Sequence, residues 1–501
     1  MFTVSGALTV VGLLDLSQPV HSVRRNYPVV GRLRWFFEDI RPEIRQYLIE
    51  DDHEQLPFSR SQRSLVYARS KNESSERAFG TQLDVYRNGY EFIGHSNRPV
   101  PPGDPAAFRI AIGGDACRQP YSASILNISA MSFGSLSANA ILALNQGAKL
   151  GGFAHDTGEG SISPHHRCHG GDLIWEIGSG YFGCRNADGS FDPQAFAQRA
   201  QDPQVRMIEI KLSQGAKPGH GGILPASKIT EEIAQTRGVP MGQDCVSPAR
   251  HSAFSTPLEM MSFIAELRRL SGGKPVGFKL CIGQPWEFMG MVKAMLDTGI
   301  LPDFIVVDGA EGGTGASPLE FSDHLGMPMR EGLLFVHNSL VGTSLRGQIS
   351  IGAAGKIVSA FDIAATLALG ADWVNAARGF MFALGCIQSL ACNTNRCPVG
   401  VATQDPLLQR ALVVSEKAER VLNFHRNTLH ALAEMMAAAG IDHPSHIGPH
   451  HLVRRVSQTE IRLFSQLHTF LADGELRGGN CHSDFYKNVW DISRADRFEL
   501  A

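Results

Sequence analysis

The stretch ISIGAAGKIVSAFDIAATLALGADWVNAARG, residues 349–379, decides the fold. ISIGAAG (349–355) is a short apolar run that ends in glycine, 361–369 places apolar residues at helical spacing, and ADWVNAA (371–377) is a second short apolar run. Strand, loop, helix and strand in this order make a parallel crossover unit. The same texture extends on the amino side. SASILNISA (122–130), GGFAHD (151–156), VRMIEIKL (205–212), KPVGFKL (274–280) and PDFIVVDG (302–309) are further strand candidates. Helical patterns fall at 137–150, 256–270, 285–297 and 329–341. Seven such strands over roughly 260 residues fit a mixed α/β chain built on a (β/α)8 TIM barrel better than a doubly wound sheet.

The chain has 501 residues, room for two or three domains or for one barrel with extensions. The expected division is an irregular, Arg-rich amino-terminal extension over 1–119, a barrel over 120–440, and a carboxyl-terminal helical tail over 441–501. Four prolines in 99–105 mark the first boundary, and 31–51 reads as an amphipathic helix with Pro42 near a break. Acidic residues (49) and basic residues (46) leave a net charge of −3, which offers no field for nucleic acid. Nine cysteines are too sparse for a disulfide scaffold, so a reducing cytoplasmic compartment is expected. Residues 2–14 carry no charge, Asp15 closes the run, and Arg24, Arg25, Arg32 and Arg34 follow. That run is too short to span a bilayer. It is either a buried helix or strand, or a peripheral membrane contact through the amino end.

Cys386, Cys392 and Cys397, spaced C-x5-C-x4-C in GCIQSLACNTNRCPVG, form the sharpest chemical motif. Thiolates gathered by a short loop ligate iron or zinc; zinc would want a fourth ligand, whereas three thiolates suit a cluster of three irons. Gly-rich strand ends come next: ISAMSFGS (128–135) with Met131 and Ser132, HDTGEGS (155–161), EIKLSQGAKPGHGG (209–222), GFKL (277–280), and DGAEGGTGASP (308–318). Lys211, Lys217 and Lys279 bring positive charge to these ends, which suits a carboxylate substrate and the electron-rich edge of a reduced flavin. IGAAGKIVS (351–359) and NAARGF (375–380) supply unhindered backbone N–H groups for a phosphate where the last two strands would end. Gly178, Gly180 and Gly183 match GxGxxG, but CRNADG follows instead of a helix, so no dinucleotide site is expected there. His165, His166, Cys168 and His169 read as a polar loop.

Taken in order, MSFGS, TGEGS, SGYFG, QGAKPGHGG followed by LPA, FKL, GGTGASP, GADWVNAARG and C-x5-C-x4-C-PVGVATQ resemble the FMN and iron-sulfur part of glutamate synthase, from about residue 125 to 404. The length is similar to that of the stand-alone FMN-binding glutamate synthase family, without the glutaminase domain. The resemblance implies a barrel holding FMN and a 3Fe-4S cluster, the latter on Cys386, Cys392 and Cys397. It implies reductive amination of 2-oxoglutarate with ammonia to glutamate, a step of nitrogen assimilation. By the same resemblance Lys279, Glu159 and Gln214 are catalytic. Lys211, Lys217, Arg185, Gly313 and Thr314 bind substrate. Met131, Ser132, Thr157, Lys279, Gly312, Gly355, Lys356, Arg378 and Gly379 hold FMN.

Three departures matter. The chain opens Met1-Phe2 where the large enzyme exposes a catalytic cysteine, so ammonia is expected free or from a glutaminase partner. Electrons are expected from a donor protein, ferredoxin or an NAD(P)H-oxidising subunit, and the chain is expected to form a homo-oligomer. Tyr181 stands where the large enzyme has arginine, leaving Arg185 to compensate, and Glu311 stands where it has aspartate. The competing readings are a related FMN barrel enzyme that acts on another 2-oxo or 2-hydroxy acid or forms an N-alkylated glutamate, and a non-catalytic flavin and iron-sulfur relay subunit.

Overall fold

The computed structural model describes residues 2–53, 57–76 and 78–500. The chain divides into two compact units, 1–64 and 65–501. In the first, an α-helix covers Phe2–Ser17 and another Arg32–Ile44, the latter running through Pro42 into a wider turn at Arg45–Ile49. Asp15 accepts from Arg32 Nε and Nη2 and from Val29 N, which ties the two helices together. Within this unit Val4, Val10 and Leu13 remain exposed, so the uncharged run is a helix but not a buried one there. Among the described residues no helix is long and apolar enough to cross a membrane.

The second unit is built on a closed barrel of eight parallel strands. They are β1 (Leu126–Ile128), β2 (His155–Asp156), β3 (Leu173–Ile177), β4 (Val205–Lys211), β5 (Val276–Leu280), β6 (Phe304–Asp308), β7 (Ser350–Ala354) and β8 (Trp373–Ala376). Neighbours in sequence are neighbours in space all the way round, and β8 closes on β1. The (β/α)8 expectation is met, with one strand more than the seven read from sequence. The missed strand is β3, LIWEI: five residues, all buried, too short to show a period. Residues 121–124 turn out to pair antiparallel with 109–112 outside the barrel.

Helix boundaries follow local chemistry. Ser137 caps the helix Ala138–Gly151 by accepting from Ala140 N, and Gly152 ends it in the left-handed region. Ser359 and Asp362 form a reciprocal capping box on Ala360–Ala368. The 25-residue helix Val414–Ala438 packs on Ala138–Gly151 where Gly147 admits Val421; a Cβ there would lie 2.5 Å from its side chain. The tail does more than continue as helix. Its hairpin, Leu452–Arg455 with Ile461–Leu463, pairs with Glu91–Ile93, and Asp484–Ile492 docks on Pro285–Thr298 through Lys293 Nζ and the Trp490 and Ser493 carbonyls.

Candidate active site at the carboxyl ends of the strands

Parallel strands deliver their last residues and following loops to one rim, and the polar motifs sit there. Lys211 ends β4, and its ammonium lies 3.2 Å from Oε1 of Glu159, in the loop after β2. Ser247 Oγ donates to the other oxygen of Glu159 at 3.3 Å. Burial raises the Glu159 carboxyl, but Lys211, Arg237 and Lys217 outweigh it and bring it down to about 2, so it is an anion at neutral pH. Gln214 accepts from Lys211 Nζ at 3.5 Å and donates to the Gly313 carbonyl at 2.9 Å, fastening the β4 loop to the loop after β6. Lys217 is 9% exposed and, among the described residues, has no carboxylate within ion-pair distance. Burial and then Lys211 hold its pKa below the usual lysine value. Glu159, Lys211, Gln214, Lys217 and His220 therefore line one pocket, with Pro248 and Ala249 as its outer wall.

That wall is set by Tyr181 together with His251, which the motif reading did not use. Tyr181 is fully buried and turned from the pocket; its hydroxyl lies 3.0 Å from His251 Nδ1 and accepts from Ala253 N at 3.1 Å. His251 Nε2 is 2.9 Å from the Lys211 carbonyl. Since a carbonyl only accepts, the Nε2–H donates and Nδ1 receives the phenol proton. Burial lowers His251 to about 4, so the ring is neutral at pH 7. Ser179 Oγ donates to the Pro248 carbonyl. Arg185 is not brought to the pocket; it lies over the Phe182 ring, 5.5 Å from its centroid, in the 185–191 turn. Thr314 stays in the loop after β6, its hydroxyl donating to the Ala316 carbonyl.

A second part of the rim is shaped for close approach of a ligand to backbone. Ser132 Oγ accepts from Gly160 N at 3.2 Å. Between them Gly158 has φ +64°, and a Cβ would lie 2.7 Å from the Ser132 amide nitrogen, so only glycine fits. Met131 and Thr157 are buried beside this contact. At the β7 end, a Cβ on Gly355 would meet Met329 at 2.7 Å and Glu311 Oε1 at 3.0 Å. Burial, and after it Arg378, lowers Lys356; burial lowers Arg378 to about 10 while its Nη2 donates to the Glu311 carbonyl at 2.6 Å. Arg378 opens a helix directly after β8 and packs against Gly313. Two cations, the loops at Gly312 and Gly355 and the start of the helix at Gly379 thus share the β6 to β8 rim, a donor set that fits a phosphate. Glu311 uses its extra methylene to accept from Met329 N at 2.9 Å, at the start of Met329–Gly342.

The structure separates Lys279 from the pocket lysines. Lys279 is 4% exposed, and its ammonium contacts Glu176 of β3 and lies 3.4 Å from Glu209 of β4. With Asp156 of β2, these two carboxylates converge inside the barrel within 4.8 Å, the one such group among the described residues that could hold a metal ion. Its cation is the lysine itself. Burial and the neighbouring acids push Asp156 up to about 7 and Glu209 well above the ordinary range. Sequence inspection overlooked this interior layer. The clue was present: Glu176 and Glu209 interrupt otherwise apolar strands.

Cys386, Cys392 and Cys397 lie in one loop after the Arg378–Leu384 helix. Non-glycine residues Gln388, Leu390 and Asn395 take positive φ and wrap the loop tightly. Cys386 Sγ accepts from Gln388 N, and Tyr67 Oη donates to the Cys386 carbonyl at 2.6 Å. Burial and then Cys397 raise the Cys392 thiol. The three do not close to within 4.8 Å as ligands of one ion would. Sulfurs about 2.3 Å from a single zinc would be drawn to about 4 Å, whereas a polynuclear core holds them further apart.

A closed parallel barrel with an ionised, cation-rich pocket on its carboxyl rim defines a TIM-barrel enzyme. Residues 111–442 match the conserved region in glutamate synthase. The chain belongs to the glutamate synthase family and is a glutamate synthase-like oxidoreductase. It is 39% identical over 499 residues to the glutamate synthase large subunit-like protein YerD of Bacillus subtilis, covering 91% of this chain and 94% of that one. It is 36% identical over 314 residues to the archaeal-type glutamate synthase [NADPH] of Thermotoga neapolitana, and 35% over 316 to the archaeal glutamate synthase [NADPH] of Methanocaldococcus jannaschii. The match spans 59% of each of those two proteins.

Proposed function

We propose that this chain carries out FMN-dependent reductive amination of 2-oxoglutarate to glutamate, using ammonia and electrons relayed through a 3Fe-4S cluster. One observation carries it: Lys211 and Lys217 stand together over the ionised Glu159 and the amide of Gln214 at the barrel rim. Lys217, without a carboxylate of its own, is the holder for one substrate carboxylate. Lys211, shared between Glu159 and Gln214, orients the 2-oxo or 2-imino group, and Gln214 supplies the amide dipole. Glu159, charged at neutral pH, holds an ammonium ion beside the keto carbon; the ion loses a proton to solvent, ammonia adds to the keto carbon, and the resulting hydroxyl leaves as water to give the 2-imino group. The wall of Pro248 and Ala249, braced by Tyr181 and His251, shields that adduct from water. The glycine-lined rim with Lys356 and Arg378 fits FMN, which when bound supplies a hydride to the imino carbon. Cys386, Cys392 and Cys397 are the ligands proposed for the cluster. A separate donor, ferredoxin or an NAD(P)H-oxidising subunit, feeds it. Ammonia comes from solution or from a glutaminase partner.

Tyr181 faces His251 rather than the pocket, and Arg185 lies over Phe182, so neither supplies a cation to the pocket. This favours a second reading in which the far carboxylate is read loosely and another 2-oxo acid is accepted. Steady-state assays with a reduced one-electron donor decide. Turnover of 2-oxoglutarate with ammonia in preference to methylamine, other 2-oxo acids and 2-hydroxy acids is expected. Turnover of 2-hydroxy acids alone overturns the proposal.

A further inference from the structure

Lys228 is 2% exposed and belongs to none of the motifs used above. It closes the 3-10 turn Ala226–Lys228, in the insertion between β4 and β5. Its ammonium donates to three carbonyls from three distant segments: Ser135 after β1 at 3.0 Å, Cys392 in the thiol loop at 3.3 Å and Ala402 at 3.3 Å. Among the described residues no carboxylate lies within ion-pair distance of it. The titratable groups near it are the thiols of Cys392 and Cys397 and the cation Arg237. A buried ammonium satisfied only by carbonyls is costly unless an anion compensates it. Three thiolates around an iron core place surplus negative charge at that spot.

We infer that Lys228 is the built-in counter-charge of the Cys386, Cys392 and Cys397 centre, a positioning residue that raises its reduction potential and clips its loop to the turn at Ser135. This rests on the cluster proposed above. A fixed cation favours the reduced, more negative state, so removing it lowers the potential.

Lys228→Gln removes the charge and keeps two of the three N–H donors, and Lys228→Arg keeps the charge. Both are compared with wild type after anaerobic reconstitution, by iron and sulfide counts and by a redox titration followed by electron paramagnetic resonance. Lys228→Gln is expected to lower the reduced-to-oxidised ratio at fixed ambient potential at least about tenfold, a shift of about 59 mV for one electron. Lys228→Arg is expected to stay near wild type. Equal potentials in Lys228→Gln and wild type, with iron retained, overturn the inference; a wild-type protein that binds no iron overturns the cluster reading instead. Stability supplies the second arm. In a background with all three cysteines changed to serine, Lys228→Gln is expected to leave Tm unchanged or higher, since no thiolate remains to pair. A drop there as large as in the intact chain would make Lys228 a backbone clip alone and refute the charge role.

Discussion

Lys279→Met removes the cation from a carboxylate layer that has no other. Glu176 and Glu209 are essentially unexposed, and Asp156 completes the group. Breaking a buried pair from one side costs about 3–5 kcal/mol. For a unit of this size that is a fall in Tm of about 3–6 °C. The pH dependence follows from the directions of the shifts. Asp156 is raised to about 7 and Glu209 is raised well above its ordinary value. A group raised on folding gives stability that is full below its unfolded pKa and lost as pH rises through the folded one. Without Lys279 both acids rise further. The variant is therefore expected to lose more at pH 8 than at pH 5.5, and adding Glu176→Gln should restore part of the loss. Thermal unfolding followed by circular dichroism at the two pH values measures this. A loss below about 1 kcal/mol, or one equal at both pH values, refutes the view that Lys279 neutralises the barrel interior.

Lys217→Ala should weaken 2-oxoglutarate binding about tenfold or more, the value of one charge-assisted hydrogen bond, as titration calorimetry would read. Tyr181→Phe removes the bonds to His251 and Ala253 N, so faster amide hydrogen exchange over 247–253 and a loss of about 1 kcal/mol are expected. Gly158→Ala forces a Cβ to 2.7 Å from the Ser132 nitrogen at φ +64°. It should cost over about 2 kcal/mol and reduce flavin content measured after extraction.

The barrel was legible because its strands are separated by helices of clear period and punctuated by glycine. Residues 349–379 show both signals, and the structure places β7, a capped helix and β8 there. LIWEI escaped because a strand buried on every side chain has neither alternation nor length. In the pocket, Lys211 and Lys217 were found from their place at strand ends, Glu159 and Gln214 through the family resemblance, and the four do meet. Lys279 carries the same texture but is drawn inward by acids on two neighbouring strands. Register sets Glu176 beside Glu209 and Glu209 beside Gly277, two residues before Lys279, so Lys279 reaches back to them, which one-dimensional reading does not supply. His251 and Lys228 act through long-range contacts from an insertion without motif character, so no local pattern announces them.

The most direct measurement of the central claim is a single turnover. Anaerobic protein carrying its extracted and identified flavin is photoreduced and mixed with 2-oxoglutarate and ammonium, and glutamate is counted. Return of the oxidised flavin spectrum with about one glutamate per flavin is the expected result. Flavin that stays reduced with both substrates present, or returns with no glutamate formed, contradicts the account.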